Sequence, residues 1–230
     1  MHHNNDNAAR FKYLALLTML YIVTICASIV LAYRMTTIMH ITFSASIFIF
    51  PLSYLCNDII TEVYGYAIAR QVIWYGVVTM IIFGLLCQIP LLLPTHNLAL
   101  SHAYHAVVDP FFRVTLSGSA SAIVGDFVNI YALSKWKILL NGRLFWIRSV
   151  GSTSIGEIAN TIVNYLILLG GIVSWAVMIK IICAAYLIKL LYTLISVPLC
   201  TLLVRYLKKA EKSDVYDVGT NFNPFKLSMK

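Results

Sequence analysis

Charge is what this 230-residue sequence has least of. Asp, Glu, Lys and Arg make up 11% of it, against 60% hydrophobic residues and a mean hydropathy of +0.82. Soluble domains carry roughly 25% charged residues, so a water-soluble fold is excluded. No hydrophilic stretch is long enough for a second folded domain. No CxxC pair occurs among Cys26, Cys56, Cys87, Cys183 and Cys200, all within apolar runs, so neither a disulfide framework nor a zinc site is suggested. No Gly-x-x-x-x-Gly-Lys-Ser/Thr loop occurs either, so the chain has no nucleotide-hydrolysing motif of its own.

Apolar runs fill the space that charge leaves. At about 20 residues per span, candidates fall at 11–33, 38–56, 72–93, 111–134, 149–172 and 178–207. The first is too long for a cleavable signal peptide and lacks a clean cleavage site. Pro51 falls inside the second run and is expected to break it. The reading is an all-α integral membrane protein, a bundle of six transmembrane helices. Residues 1–10 form an N-terminal tail, 11–207 the membrane domain and 208–230 a polar tail expected to be a disordered extension.

Orientation follows from the basic residues. With the N-terminus inside, only Arg34, Arg113 and Lys180 of the 17 Lys and Arg fall outside, and Lys189 falls within the last span. That asymmetry places both termini in the cytoplasm. It also accounts for the formal charge of +8 with no nucleic-acid partner.

A charged group at mid-membrane costs roughly 2.5–3.5 kcal/mol, so those that persist mark an interior or a site. At 100° per residue, Ser149, Thr153, Gly156, Glu157, Asn160, Thr161 and Asn164 share one face of the fifth run. Gly118, Ser119, Ala122, Gly125, Asp126 and Asn129 share a face of the fourth. Small residues there serve close helix packing, a purpose that needs no carboxylate. Lys189 lies deep in the last run, at a depth close to that of Glu157. An ion pair is expected between Lys189 and Glu157 or Asp126, direct or through a substrate.

The densest polar cluster follows the second run: Asn57, Asp58, Thr61, Glu62, Tyr64, Tyr66 and Arg70. Asp58, Glu62, Tyr66 and Arg70 recur every four residues, so one helix would align them, and the acids could neutralise Arg70 locally. Read as a cytoplasmic connector, this is unusual chemistry. Carboxylates accept N–H bonds and tyrosine rings cover flat molecules, which suits a planar, N–H-rich heterocycle better than a sugar or a lipid. His96, His102 and His105 lie near Asp109 in an external loop. Their spacing is weak as a metal site, and solvated histidines are the expectation.

The stretch from Phe50 to Arg70, FPLSYLCNDIITEVYGYAIAR, resembles the signature of the queuosine precursor transporter family, also called the YhhQ or vitamin uptake transporter family. That signature reads Asp-x-x-Thr-Glu-Val-Tyr-Gly-Tyr-x-x-Ala-Arg. Asp58, Thr61, Glu62, Val63, Tyr64, Gly65, Tyr66, Ala69 and Arg70 match it in order. Gly156-Glu157 with Thr161, and Tyr186 with Lys189, resemble two further family patterns. Asn160 stands where the family usually has Asp, which removes a charge there.

The resemblance implies a non-enzymatic importer in the bacterial cytoplasmic (inner) membrane, moving 7-deazaguanines such as preQ0, preQ1 or queuine for salvage into tRNA modification. It implies no cofactor and no metal, with the lipid bilayer and a small planar heterocycle as partners; homo-oligomerisation is left open. The expected substrate-binding set is Glu157, Asn160, Asp126, Lys189, Asp58, Glu62, Tyr64, Tyr66 and Arg70. Glu157 or Glu62 would take the base edge, and Asp126 or Asp58 secondary contacts. The alternative is a substrate-binding subunit that needs a separate ATPase module. An intramembrane enzyme using Glu157 and Asp126 as acid and base is disfavoured, because no nucleophile arrangement accompanies them.

Overall fold

The computed structural model describes residues 11–32, 34–38 and 41–226. Seven α-helices are described: α1 (Leu14–Leu31), α2 (Pro51–Tyr64), α3 (Tyr66–Gln88), α4 (Leu98–Val108), α5 (Phe111–Leu139), α6 (Phe145–Leu169) and α7 (Trp175–Glu211). Between α1 and α2 lies an antiparallel hairpin, β1 (Met35–Ile38) with β2 (Ile41–Ser44), pairing Met35 with Ser44 and Ile38 with Ile41. Single 3₁₀ turns precede α2 at Ala45–Phe48 and follow α3 at Ile89–Leu92.

Among the described residues, five helical segments are long and apolar enough to cross a membrane: Leu14–Leu31, Ala45–Tyr64, Tyr66–Leu92, Leu98–Leu139 and Trp175–Glu211. The fifth apolar run of the sequence, α6, has the length at 25 residues but carries Arg148, Glu157 and a wide polar face. It packs along α5 and against α7, and those neighbours shield the polarity.

The second span differs from expectation. Residue 38 and residues 41–44 belong to the strands of the hairpin, and β-branched residues such as Thr36 and Thr37 suit a strand. The helical segment begins at Ala45, and Pro51 opens α2 in its first turn. There the missing N–H costs nothing, so Pro51 starts a helix instead of breaking one. The Asn57–Arg70 cluster is therefore no connector. Asn57 to Tyr64 form the last two turns of α2, and α3 starts at Tyr66 instead of residue 72. Gly65 alone joins them, at φ 88°, a left-handed conformation that glycine adopts without a side-chain penalty.

The polar tail also differs from the expected extension. Residues 213–226 lie against the ends of α2, α3 and α5. Asp217 accepts the Tyr66 backbone N–H at 3.0 and 3.1 Å, capping α3. Arg70 donates to the carbonyls of Asn221 and Asn223 at 3.0 and 2.9 Å, and Trp74 Nε1 donates to that of Pro224 at 2.8 Å. Phe222 packs on Tyr66 and Tyr131 beneath the Lys135 ammonium. Three ring contacts and a helix cap offset the ordering entropy of the short segment.

The distribution of side chains is inverted relative to a soluble protein. Leu16, Met19, Leu20 and Val23 on α1, with Leu191, Leu194, Ile195 and Leu199 on α7, face outward, while Arg70, Arg148 and Lys137 are fully buried. Lipid solvates the first kind of surface, and only internal partners can satisfy the second.

α5 and α6 make the closest approach. A Cβ on Gly125 would sit 2.5 Å from Asn160 Cβ and 2.8 Å from the Gly156 carbonyl oxygen. One on Gly156 would sit 2.8 Å from Asn129 Cβ. Only hydrogen at both positions lets the backbones meet.

Candidate substrate site

Helical spacing builds the interior. On α2, Tyr54, Asn57, Asp58, Thr61 and Glu62 recur at three- and four-residue intervals and all point inward. On α5, Ala122, Gly125, Asp126 and Asn129 do the same, and on α6 Ser149, Thr153, Gly156, Glu157, Asn160 and Thr161. The seam that brings α5 against α6 thus stacks polar groups in layers along the bundle.

The layer nearest the hairpin contains a cavity walled by Ser44, Ser46, Ile47 and Phe50 on one side and Asn160, Thr161, Asn164 and Lys189 on the other. Its volume of about 70 Å³ exceeds several-fold the space one water needs. Lys189 Nζ donates to Asn160 Oδ1 at 3.2 Å and Thr161 Oγ1 at 3.1 Å, and stands 4.7 Å from the Phe50 ring centroid, a cation–π arrangement. Asn160 Nδ2 has no partner among the described residues.

The next layer, one turn along α6, holds Glu157, Asp126, Tyr54, Tyr21 and Asn57. Asp126 Oδ2 accepts the Tyr21 hydroxyl at 2.9 Å and Asn57 Nδ2 at 3.2 Å. Glu157 is 0% exposed, and neither of its oxygens has a partner among the described residues. The direct Lys189 ion pair expected from the sequence is not formed: among the described residues Lys189 bridges to neutral groups, and no carboxylate lies within salt-bridge distance of it. Asn160 explains the difference, since its amide oxygen intercepts the ammonium.

Asp58 occupies a third layer. It accepts Asn129 Nδ2 at 2.8 Å, Thr153 Oγ1 at 3.0 Å and a very short bond from Ser149 Oγ. Glu62 occupies the fourth. Arg148 grips it with two nitrogens at 2.8 and 3.1 Å, Lys208 reaches it at 2.7 Å, and Lys137 lies 3.7 Å away.

Asp214 of the tail, 2.6 Å from Lys137 and 2.8 Å from Lys208, closes this cluster. Partial burial works against its charge, yet the two ammonium groups hold its carboxyl below the ordinary carboxylate value.

The structure therefore brings Asn160 and Lys189 to the cavity wall and buries Glu157 and Asp126 in the layer next to it. It places Asp58 and Glu62 deeper, toward the end where residues 213–226 dock. Tyr64 donates to Glu211 at 2.9 Å, while Tyr66 and Arg70 hold the tail. The acid ladder expected to neutralise Arg70 does not form, because the turn at Gly65 separates Glu62 from Arg70 and Glu62 already serves Arg148 and Lys208.

Sequence reasoning missed Phe50, Tyr21, Tyr54, Arg148 and Lys137. Arg148 and Lys137 fall between the apolar runs 111–134 and 149–172, yet both are at most 1% exposed. Arg148, Ser149 and Ser152 continue the polar face of α6, a signal that extending the helix backward would have exposed. His105 contacts Asp109 at 3.1 Å, both side chains exposed. Among the described residues no three His, Cys, Asp or Glu are grouped to hold a metal.

Comparison with known proteins places this architecture. A sequence model described as "Putative vitamin uptake transporter" matches residues 44–203, the stretch that contains Asp58, Glu62, Asp126 and Glu157. A "Probable queuosine precursor transporter" from Bacillus subtilis (strain 168) is 26% identical over 177 residues, covering 76% of this chain and 77% of that protein. No solved structure matches. With most of its length matched and apolar helices surrounding a polar interior, the chain is a multi-pass transporter of the bacterial cytoplasmic (inner) membrane and not an enzyme: it belongs to the vitamin uptake transporter family.

Proposed function

We propose that the chain imports 7-deazaguanine precursors of queuosine, such as preQ0, preQ1 or queuine. The observation that carries this is the pairing, on one face of α6, of a buried unpartnered acceptor, Glu157, with an unpartnered donor, Asn160 Nδ2, whose residue lines the cavity. A guanine-like edge presents a carbonyl beside a ring N–H and an exocyclic NH₂. A carboxylate receives the two donors through parallel hydrogen bonds, and the amide donates to the carbonyl. Phe50 offers a ring for the flat heterocycle. The printed name of the Bacillus subtilis relative supports the same substrate class.

In this reading Glu157, Asn160 and Lys189 contact substrate, and Lys189 compensates Glu157 when the site is empty. Asp126 stands behind them. Asp58, Glu62, Tyr64, Tyr66 and Arg70 hold the inner end of the bundle together. The basic-residue asymmetry puts the termini and the docked tail in the cytoplasm and the cavity in the outer half, where an importer collects its load.

The test uses cells that cannot make queuosine, supplied with each 7-deazaguanine. Expression of the chain should restore queuosine in their tRNA, and Glu157→Gln should abolish the rescue. Unchanged tRNA with every precursor would overturn the proposal.

A further inference from the structure

A separate cavity of about 260 Å³ lies between the start of α6 and the last turns of α7. Leu144 and Trp146 line it on the α6 side, Arg205 and Lys208 on the α7 side, and Glu62 of α2 lies at its back. Leu144, Trp146 and Arg205 are exposed and form its rim. Arg205 lies about 24 Å along α7 from Lys189, so this is no part of the cavity described above.

The charges at this end do not cancel. Glu62 and Asp214 are the carboxylates, and Arg148, Lys137 and Lys208 already serve them. Arg205 is a fourth cation, and among the described residues its guanidinium makes no ion pair and no hydrogen bond. Arg143, between the lining residues Gly142 and Leu144, is exposed as well. Even with Asp58 counted, one turn further in and held by neutral donors, cations are in surplus. Both Glu62 oxygens are taken by Arg148 and Lys208, so the back wall is neutralised. Lys208 donates once to Glu62 and once to Asp214, which leaves one of its three N–H groups unused. A free guanidinium fork and a spare ammonium N–H thus face a space many times that of one water.

We infer that this cavity binds the phosphate headgroup of an anionic phospholipid of the surrounding leaflet. The Arg205 fork matches two phosphate oxygens, and Lys208 adds a point charge from the other side. Depth favours a lipid over a soluble phosphate. Arg205 lies about 45 Å along α7 from Trp175, which is past a hydrocarbon core of roughly 30 Å and so at headgroup level. Trp146 and Tyr206, both exposed beside it, are the ring types that settle at that level. Leu144 and Leu202, exposed on the same border, offer acyl chains an apolar surface that a free phosphate could not use. Bound there, the phosphate reduces the surplus charge and joins the start of α6 to the end of α7. The site is independent of what the protein transports.

Two measurements on the purified full chain test it. In detergent, added phosphatidylglycerol should raise the thermal midpoint by several degrees more than phosphatidylcholine does. Arg205→Gln, at an exposed and unpaired position, should lose at least half of that difference. Lys180→Gln, which removes an exposed cation near the other end of α7, should keep it. In phosphatidylcholine bilayers, brominated phosphatidylglycerol should quench tryptophan fluorescence more than the same fraction of brominated phosphatidylcholine, and Trp146→Phe should abolish the excess. Equal stabilisation by the two lipids, a full difference in Arg205→Gln, its loss in Lys180→Gln, or excess quenching that survives in Trp146→Phe would each overturn the inference. Millimolar inorganic phosphate that reproduces the whole shift would overturn it too, by showing that a soluble anion suffices.

Discussion

Lys189 of α7 hydrogen-bonds Asn160 of α6 at 3.2 Å, so a neutral amide takes the contact that a carboxylate would otherwise make. This one residue takes the ammonium from the buried acids and leaves Glu157 without a direct partner among the described residues. Asn160→Asp should give Lys189 a direct ion pair. Thermal unfolding in detergent should then move upward, while the substrate KM rises several-fold because Lys189 no longer compensates Glu157. Unchanged values of both would show that the amide has no such role.

The α5–α6 seam depends on two hydrogens. Gly125→Ala and Gly156→Ala each drive a methyl group into backbone or Cβ atoms closer than 3 Å, and overpacking of that kind costs about 1–3 kcal/mol. Gly118→Ala meets only the Met80 sulfur at 3.7 Å and should leave stability unchanged. Denaturant titration of the three variants checks the ordering.

Glu62 is shared by three cations, and its removal should be worse than removal of any one of them. Glu62→Ala leaves Arg148, Lys137 and Lys208 clustered without their common counterion, in the range of about 3–5 kcal/mol for a broken buried pair. Arg148→Ala leaves two lysines to balance the acid and should cost less. The folded fraction recovered after purification provides the comparison.

Docking of the tail should be acid-sensitive. The carboxyl of Asp214 is held below its ordinary value of about 3.9 by Lys137 and Lys208. A depressed folded value means that its stabilising contribution is complete above the unfolded value and vanishes as pH falls through the folded one. Proteolysis within residues 213–226 should stay slow from neutrality down to about pH 4 and accelerate below it. Asp217→Ala, which removes the cap on α3, should permit cleavage at neutral pH at a cost of about 0.5–2 kcal/mol.

The polar faces of α5 and α6 were legible because period 3.6 is written directly into 118–129 and 149–164, and lipid allows no other use for such a stripe. The approximate position of Lys189 followed in the same way. What misled was treating polarity as exposure. Asn57 to Arg70 read as a connector because its side chains are charged, whereas tertiary partners from α5, α6 and α7 bury it. Arg148 and Lys137, between two apolar runs of the sequence, are buried in the same way. The hairpin was hidden because Ile38, Ile41 and Phe43 extend an apolar run, and hydropathy alone does not separate a strand from a span. The tail's docking depends on distant acceptors, the carbonyls of Asn221, Asn223 and Pro224, which leave no periodic mark.

That the chain itself moves the heterocycle, without a separate ATPase module, is the central claim. The direct measurement is uptake of a labelled 7-deazaguanine into proteoliposomes containing only the purified chain. The account predicts uptake well above that of empty liposomes, lost in Glu157→Gln and in Lys189→Met. Equal uptake by all three proteins, or uptake that begins only when an ATPase module and ATP are added, would contradict it.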